Sequence, residues 1–259
     1  ETNAVKMNPE TGTMIREGVE AIINPLDLYA IEIAIRLAAE QGGHTTVVSM
    51  GPPKAEIALR EAVAMGIDAA VLVSDKAFAG SDTWATSYVL AAAVRKLAQG
   101  GLPGGDEDDA DARAGETATA ASRETDTPAG PADLIVCGER ATDGDTGQVG
   151  PGIAAWLDLP VATYVSRVDE VAAGRVRVHR LVEDGYEVLD VQTPAVLTVV
   201  KEVADPGLPT LRGKQKAKRM ELPTWGAADL DVEPANLGLT GSPTRVVKIF
   251  RPQVARECE

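Results

Sequence analysis

The sequence predicts an α/β fold: a doubly wound, mostly parallel sheet with helices on both faces. The alternation of its elements predicts it, and the composition bounds its core. Short β-branched runs alternate with amphipathic helical runs between Asn24 and Leu157. Hydrophobic residues make up 44% of the 259 residues, enough for a substantial core. Aromatics are only 3%, so that core must be built from Ala, Val, Leu and Ile.

The first helix follows Asn24-Pro25. Leu28, Ile31, Ile35 and Leu37 fit one apolar face, and Gly42-Gly43 ends it. Asn24 is expected to cap it. Thr45 to Met50 reads as a buried strand. Gly51-Pro52-Pro53 opens a helix to Met65, with proline in its first turn. Ala69 to Val73 is the next strand, and Ser81-Asp82 caps a helix through Tyr88 to Leu97. Asp133 to Cys137 is a strand, and Asp145 or Thr146 opens a helix ending near Leu157.

Beyond Pro160 the pattern changes to strands with short turns. They are Val161 to Val168, Arg175 to Leu181, Glu187 to Val191 and Ala195 to Val200, the middle pair a hairpin around Glu183-Asp184-Gly185. After Lys201 no periodicity survives and prolines recur at 206, 209, 223, 234, 243 and 252. Residues 1–200 therefore read as one α/β domain, and 201–259 as an extended C-terminal arm that lies on another subunit. A doubly wound sheet ordinarily opens with a strand, and ETNAVKMNPETG offers none. Either the first strand is missing or the sheet is built differently.

Residues 102–131 interrupt a helix-to-strand connection. Eight acids between Asp106 and Asp126 face only Arg113 and Arg123, which supplies -6 of the net charge of -14. This insert has almost no large apolar residue and is expected to be mobile. The overall acidity argues against nucleic acid as a partner. No apolar run approaches the roughly 20 residues of a membrane span. The polar N-terminus is not a secretory signal, so a cytoplasmic protein is expected. Two cysteines, Cys137 and Cys258, and two histidines, His44 and His179, supply no disulfide framework, metal spacing or nucleophile triad. Redox chemistry would need a bound cofactor.

Ligands on such sheets sit at the carboxyl ends of the strands. That places Asn24 to Asp27, Met50 to Pro53 and Gly138 to Val149 on one rim. In the last stretch Gly138 and Gly144 let the backbone approach a ligand. Thr146 and Gln148 add donors beside the amides of a new helix, which favour a phosphate. Asp143 and Asp145 suit ribose hydroxyls or the helix cap. Spacing alone leaves a plain Asp/Gly turn as an equal reading. Further on, Arg212, Lys214, Lys216, Lys218 and Arg219 follow Leu208 and Leu211. That pattern suits docking to an acidic partner, or else a solvated turn.

The ordered series I-N-P-L-D, M-G-P-P, D-G-D-T-G-Q-V-G-P and L-P-T-L-R-G-K-Q-K-A-K resembles the electron-transfer flavoprotein β-subunits, from about Val5 to Arg251. The acidic insert is foreign to that family. The resemblance implies an adenine-nucleotide-hydrolase-like fold whose opening strand, with a V-K-x-V-P-D-like segment, lines the nucleotide site. It implies a heterodimer whose α-subunit carries one FAD. It implies an adenine nucleotide held by Asn24, Pro25, Leu26 and Asp27, by Met50 and Gly51, and by the turn. The turn residues carried over are Gly138, Arg140, Ala141, Thr142, Asp143, Gly144, Asp145, Thr146, Gly147, Gln148 and Val149.

In ordinary members the nucleotide is AMP. In electron-bifurcating members it is a second FAD that takes hydride from NADH. D-G-D-T-G-Q-V-G-P and the later Gly241-Ser242-Pro243-Thr244 resemble the bifurcating or nitrogen-fixation-associated branch, so FAD is favoured over AMP. Residues 206–219 match the family's recognition loop, which docks on acyl-CoA dehydrogenases, with Leu208, Leu211, Arg212 and Lys216 as contacts. Arg212 stands where ordinary members carry proline. The chain is thus expected to be an electron-carrier subunit rather than an enzyme. A universal-stress-type nucleotide sensor would need a glycine-spaced phosphate loop that is not found. An adenylating or pyrophosphatase-type enzyme would need a Ser/Gly-rich loop at the first strand.

Overall fold

The computed structural model describes residues 6–7, 14–15, 21–100, 132–142 and 144–245. The acidic insert expected to be mobile, and Asp143 of the candidate site, lie outside them.

Two-residue strands β1 (Lys6–Met7) and β2 (Met14–Ile15) pair antiparallel. Then follow α1 (Asp27–Gln41), β3 (Thr46–Met50), α2 (Glu56–Met65), β4 (Ala69–Val73), α3 (Thr83–Gly100), β5 (Leu134–Gly138) and α4 (Val149–Leu157). The second half holds β6 (Val161–Ala172), β7 (Arg175–Val182), β8 (Gly185–Gln192), β9 (Ala195–Val199), α5 (Leu211–Arg219) and β10 (Thr224–Trp225).

The strands form a parallel sheet of order β10-β4-β3 and a five-stranded sheet of order β5-β9-β6-β7-β8. In the latter, β5, β9 and the start of β6 are parallel, while β6, β7 and β8 form antiparallel ladders. Strands β4 and β9 are hydrogen-bonded on both edges and buried at every position. Strands β3 and β5 are each bonded on one edge and stay mostly half-buried. Among the described residues no strand joins β3 to β5.

Helix α1 spans this division. Ile33 and Leu37 pack into the core of the five-stranded sheet. Ile31 and Ile35 pack with Ala62, Ile67 and Val47 on the other sheet. The single apolar face expected of α1 is therefore two faces, each serving one half.

The C-terminal region differs from the expected extended arm. Residues 211–219 form a helix, capped where the Thr210 hydroxyl accepts the Gly213 amide at 2.9 Å. Gly213 lies so close to the Ala64 carbonyl that a side chain would collide with α2. The Arg60 guanidinium donates to the carbonyls of Ala217 and Met220 at the other end. Beyond the helix, β10 pairs with β4, and Leu230 and Leu237 bury beside Phe78 and Tyr88. Up to Thr244 this segment lies on the body of the same chain. Single leucines between prolines anchor it, a pattern without periodicity.

Candidate functional site

Within each sheet the parallel strands end level at a carboxyl-end rim. Gly138 at the end of β5 is level with Val199 of β9, which is level with Val165 of β6. Met50 ends β3, and the Gly51 amide bonds the Val73 carbonyl at the end of β4. The turn from Glu139 to Gln148 leaves this rim for α4.

Two residues ahead of or at the start of α1 hold that turn. Asn24 is buried, and its amide donates to the Arg140 carbonyl at 2.8 Å while its oxygen accepts the Thr142 amide at 3.4 Å. Asp27 accepts the Gly138 amide at 3.0 Å. The expectation that Asn24 caps α1 is corrected. The cap position is Leu26, with no side-chain bond, because the Pro25 turn sets Asn24 back from the helix amides. Pro25 is exposed and Leu26 half-buried. The motif Asn-Pro-Leu-Asp thus braces the turn through its two polar members.

Helix α4 begins at Val149, not at Asp145 or Thr146, and Gln148 occupies its cap position without a side-chain bond. Asp145 instead takes a left-handed conformation (φ 52°), as does Gly147 (φ 65°). Both bend the chain back, and the Asp145 amide bonds the Ala141 carbonyl at 2.7 Å. Gln148 accepts a hydrogen bond from the Thr83 hydroxyl at 3.0 Å and so faces α3. A groove of about 520 Å³ runs between α3 and α4, lined by Gln148, Thr83, Trp84 and Trp156 among others.

Arg140, Ala141, Thr142, Gly144, Asp145, Thr146 and Gln148 are exposed, so the turn is open to a ligand. Arg140 is the one basic residue between Gly138 and Val149. Its guanidinium meets Asp145 at 3.0 Å and Glu139 at 3.4 Å. The first-turn amides of Val149 and Gly150 have no intrahelical acceptor. An open turn, one cation and a helix N-terminus together fit a phosphate. The acids fit hydroxyls better than a second anion. Beneath the turn, burial, aided by the Asp27 charge, pushes the Cys137 thiol up to about 12. It therefore stays a neutral thiol at physiological pH.

The sequence matches the family described as Electron transfer flavoprotein domain over residues 11–100 and 106–230. This chain belongs to that family. It is 43% identical over 260 residues to the electron transfer flavoprotein subunit beta of Thermoanaerobacterium thermosaccharolyticum, covering 100% of this chain and 87% of that protein. It is 41% identical to the caffeyl-CoA reductase-Etf complex subunit CarD of Acetobacterium woodii, over 97% of this chain and 84% of that protein. It is 40% identical to protein FixA of Azotobacter vinelandii, over 96% of this chain and 79% of that protein. The resemblance drawn from the motifs is borne out, and a universal-stress-type sensor is not favoured.

In this electron transfer flavoprotein domain the basic stretch is the helix α5. Leu208 and Leu211 are 86% and 78% exposed, so both apolar side chains stand free of the core. Gly241 to Thr244, noted only as a motif, lies against the start of α3. Asp82 accepts the Thr244 amide at 2.9 Å and hydroxyl at 2.7 Å, and the Ser242 hydroxyl accepts the Asp82 amide at 2.8 Å. Tyr164 stands beside the turn and was not anticipated. Its place depends on a bulge, which leaves no mark in the sequence. Among the described residues there is no metal-binding cluster, and no helix is long and apolar enough to cross a membrane.

Proposed function

We propose that this chain is the β-subunit of an electron transfer flavoprotein heterodimer and holds an adenine nucleotide, FAD rather than AMP, on the rim. The observation that carries the reading is the open turn at 139–148, braced from below by Asn24 and Asp27. Its Arg140 and the first amides of α4 would take the phosphates. Asp143 and Asp145 would take ribose hydroxyls, and Met50 and Gly51 would border the base. A bound flavin supplies the electron chemistry, so no side chain need act as general acid or base. This chain's residues hold and orient the nucleotide. NADH is the electron donor consistent with a bifurcating member.

The α-subunit is the permanent partner in this proposal. The names of two relatives, a subunit beta and a reductase-Etf complex subunit, support that assembly. Helix α5, with Leu208, Leu211, Arg212 and Lys216, would dock acyl-CoA dehydrogenase-like or other redox partners through apolar contact ringed by positive charge. The test is to denature the complex purified with its α-subunit and identify the released nucleotides. Two FAD per heterodimer is the expected result. One FAD plus one AMP would replace FAD by AMP at this site. One FAD with no second adenine nucleotide would overturn the proposal.

A further inference from the structure

Tyr164 has a left-handed backbone, φ 58°. A bulky residue rarely adopts that conformation without compensation from its surroundings. The cause is a bulge in β6. Ala162 pairs with Leu197 and Val165 with Val199, so β6 uses one residue more than β9 between these pairs. The bulge is pinned on both sides. The Tyr164 amide donates to the hydroxyl of buried Thr198 at 3.1 Å, and Ala162 and Val165 are fully buried.

The extra residue re-aims the side chain. Tyr164 remains 44% exposed between buried Ala162 and Val165, at the rim end of the parallel part of β6. Its hydroxyl lies 3.9 Å from where a Cβ on Gly147 would stand. Gly147 is one of the two left-handed residues just ahead of α4. A distorted strand thus presents a phenol to the part of the turn that leads into the helix amides.

We infer that Tyr164 is a ligand-facing residue of the rim site, its hydroxyl donating to a phosphate of a bound nucleoside diphosphate. The inference rests on the turn being the nucleotide site. It adds a residue contributed by β6, which the three rim motifs do not include. The phenol supplies an uncharged donor beside Gly147, where the turn leads into α4. It also shields the diphosphate from water on the β6 side.

The test compares Tyr164→Phe, Tyr164→Gly and Thr146→Val in the complex with the α-subunit. The readout is the rate at which the rim nucleotide is lost on dilution, together with the melting temperature. Loss should be about tenfold faster in Tyr164→Phe, which lacks the donor to a charged group. Tyr164→Gly should lose nucleotide at least as fast yet melt no lower than wild type, because glycine suits the left-handed backbone. A merely structural tyrosine predicts wild-type loss rates in both. Wild-type rates in both tyrosine variants with faster loss in Thr146→Val would overturn the role of Tyr164 and leave the rim site standing. Fast loss in Tyr164→Gly alone would overturn the hydroxyl contact. Wild-type rates in all three would remove the rim site itself.

Discussion

The Asp27 carboxylate accepts the Gly138 amide at 3.0 Å and ties the first turn of α1 to the last residue of β5. The contact is so close that a Cβ at Gly138 would overlap the carboxylate and stand 2.8 Å from the Leu26 carbonyl carbon. Gly138→Ala should therefore cost about 1–3 kcal/mol by overpacking. Urea unfolding measures the cost, and nucleotide content should fall with it.

Asn24 makes the second tie, to both ends of Arg140–Thr142. Asn24→Ala removes the hydrogen bonds to the Arg140 carbonyl and from the Thr142 amide, at about 1–3 kcal/mol for the two. The variant should hold its nucleotide more weakly, seen as faster release on dilution. Asn24→Asp keeps the acceptor for Thr142 but loses the donor to Arg140, and should be affected too.

Helices α3 and α4 cross where a Cβ on Gly152 would come 2.5 Å from the Ser87 hydroxyl and 2.7 Å from its Cβ. Gly152→Ala should destabilise by about 1–3 kcal/mol. Combining it with Ser87→Gly should recover most of that loss. A double-mutant cycle by thermal unfolding checks the coupling.

Much of this fold was legible from residue patterns. The strand at Ala69–Val73 is an uninterrupted apolar run and that at Ala195–Val199 is broken only by Thr198, and both prove fully buried. Asp82 was read as a cap and does accept the Trp84 and Ala85 amides. The local motifs of the rim were legible as sites, but not their division of labour. Asn24 looked like a helix cap because capping chemistry depends on neighbouring residues. Its bond to Arg140 crosses 116 positions of sequence. The helix at Leu211–Arg219 was hidden because only Ala217 of its nine residues is buried, which leaves no apolar stripe to read. Tyr164 was hidden for a related reason. A bulge exists only between two paired strands, and β9 lies some thirty residues further along the chain.

At α5, Leu211→Ser and Arg212→Glu alter exposed side chains and should change stability by less than about 0.5 kcal/mol. Electron transfer to the redox partner should slow in both. Arg212→Glu should also weaken the dependence of that rate on ionic strength. Stopped-flow reduction at two salt concentrations separates the charge contribution from the apolar one.

The Asp82 carboxyl lies below the usual carboxylate range. Burial acts to raise it, but hydrogen bonds from the Ala85 amide, the Thr244 hydroxyl and amide, and the Trp84 amide outweigh burial. A depressed folded value means the stabilisation is present above the unfolded value of about 3.9 and is lost as pH falls through the folded one. Wild type should exceed Asp82→Asn in stability at pH 6, and the gap should narrow as pH falls below the unfolded value. Unfolding curves across that interval report it.

Amide hydrogen exchange on the heterodimer, with the rim nucleotide bound and after its removal, tests the central claim most directly. The account predicts that removal raises exchange at residues 139–150, with the largest change in the first amides of α4. Unchanged exchange across that turn, with the protection lost elsewhere, would contradict it.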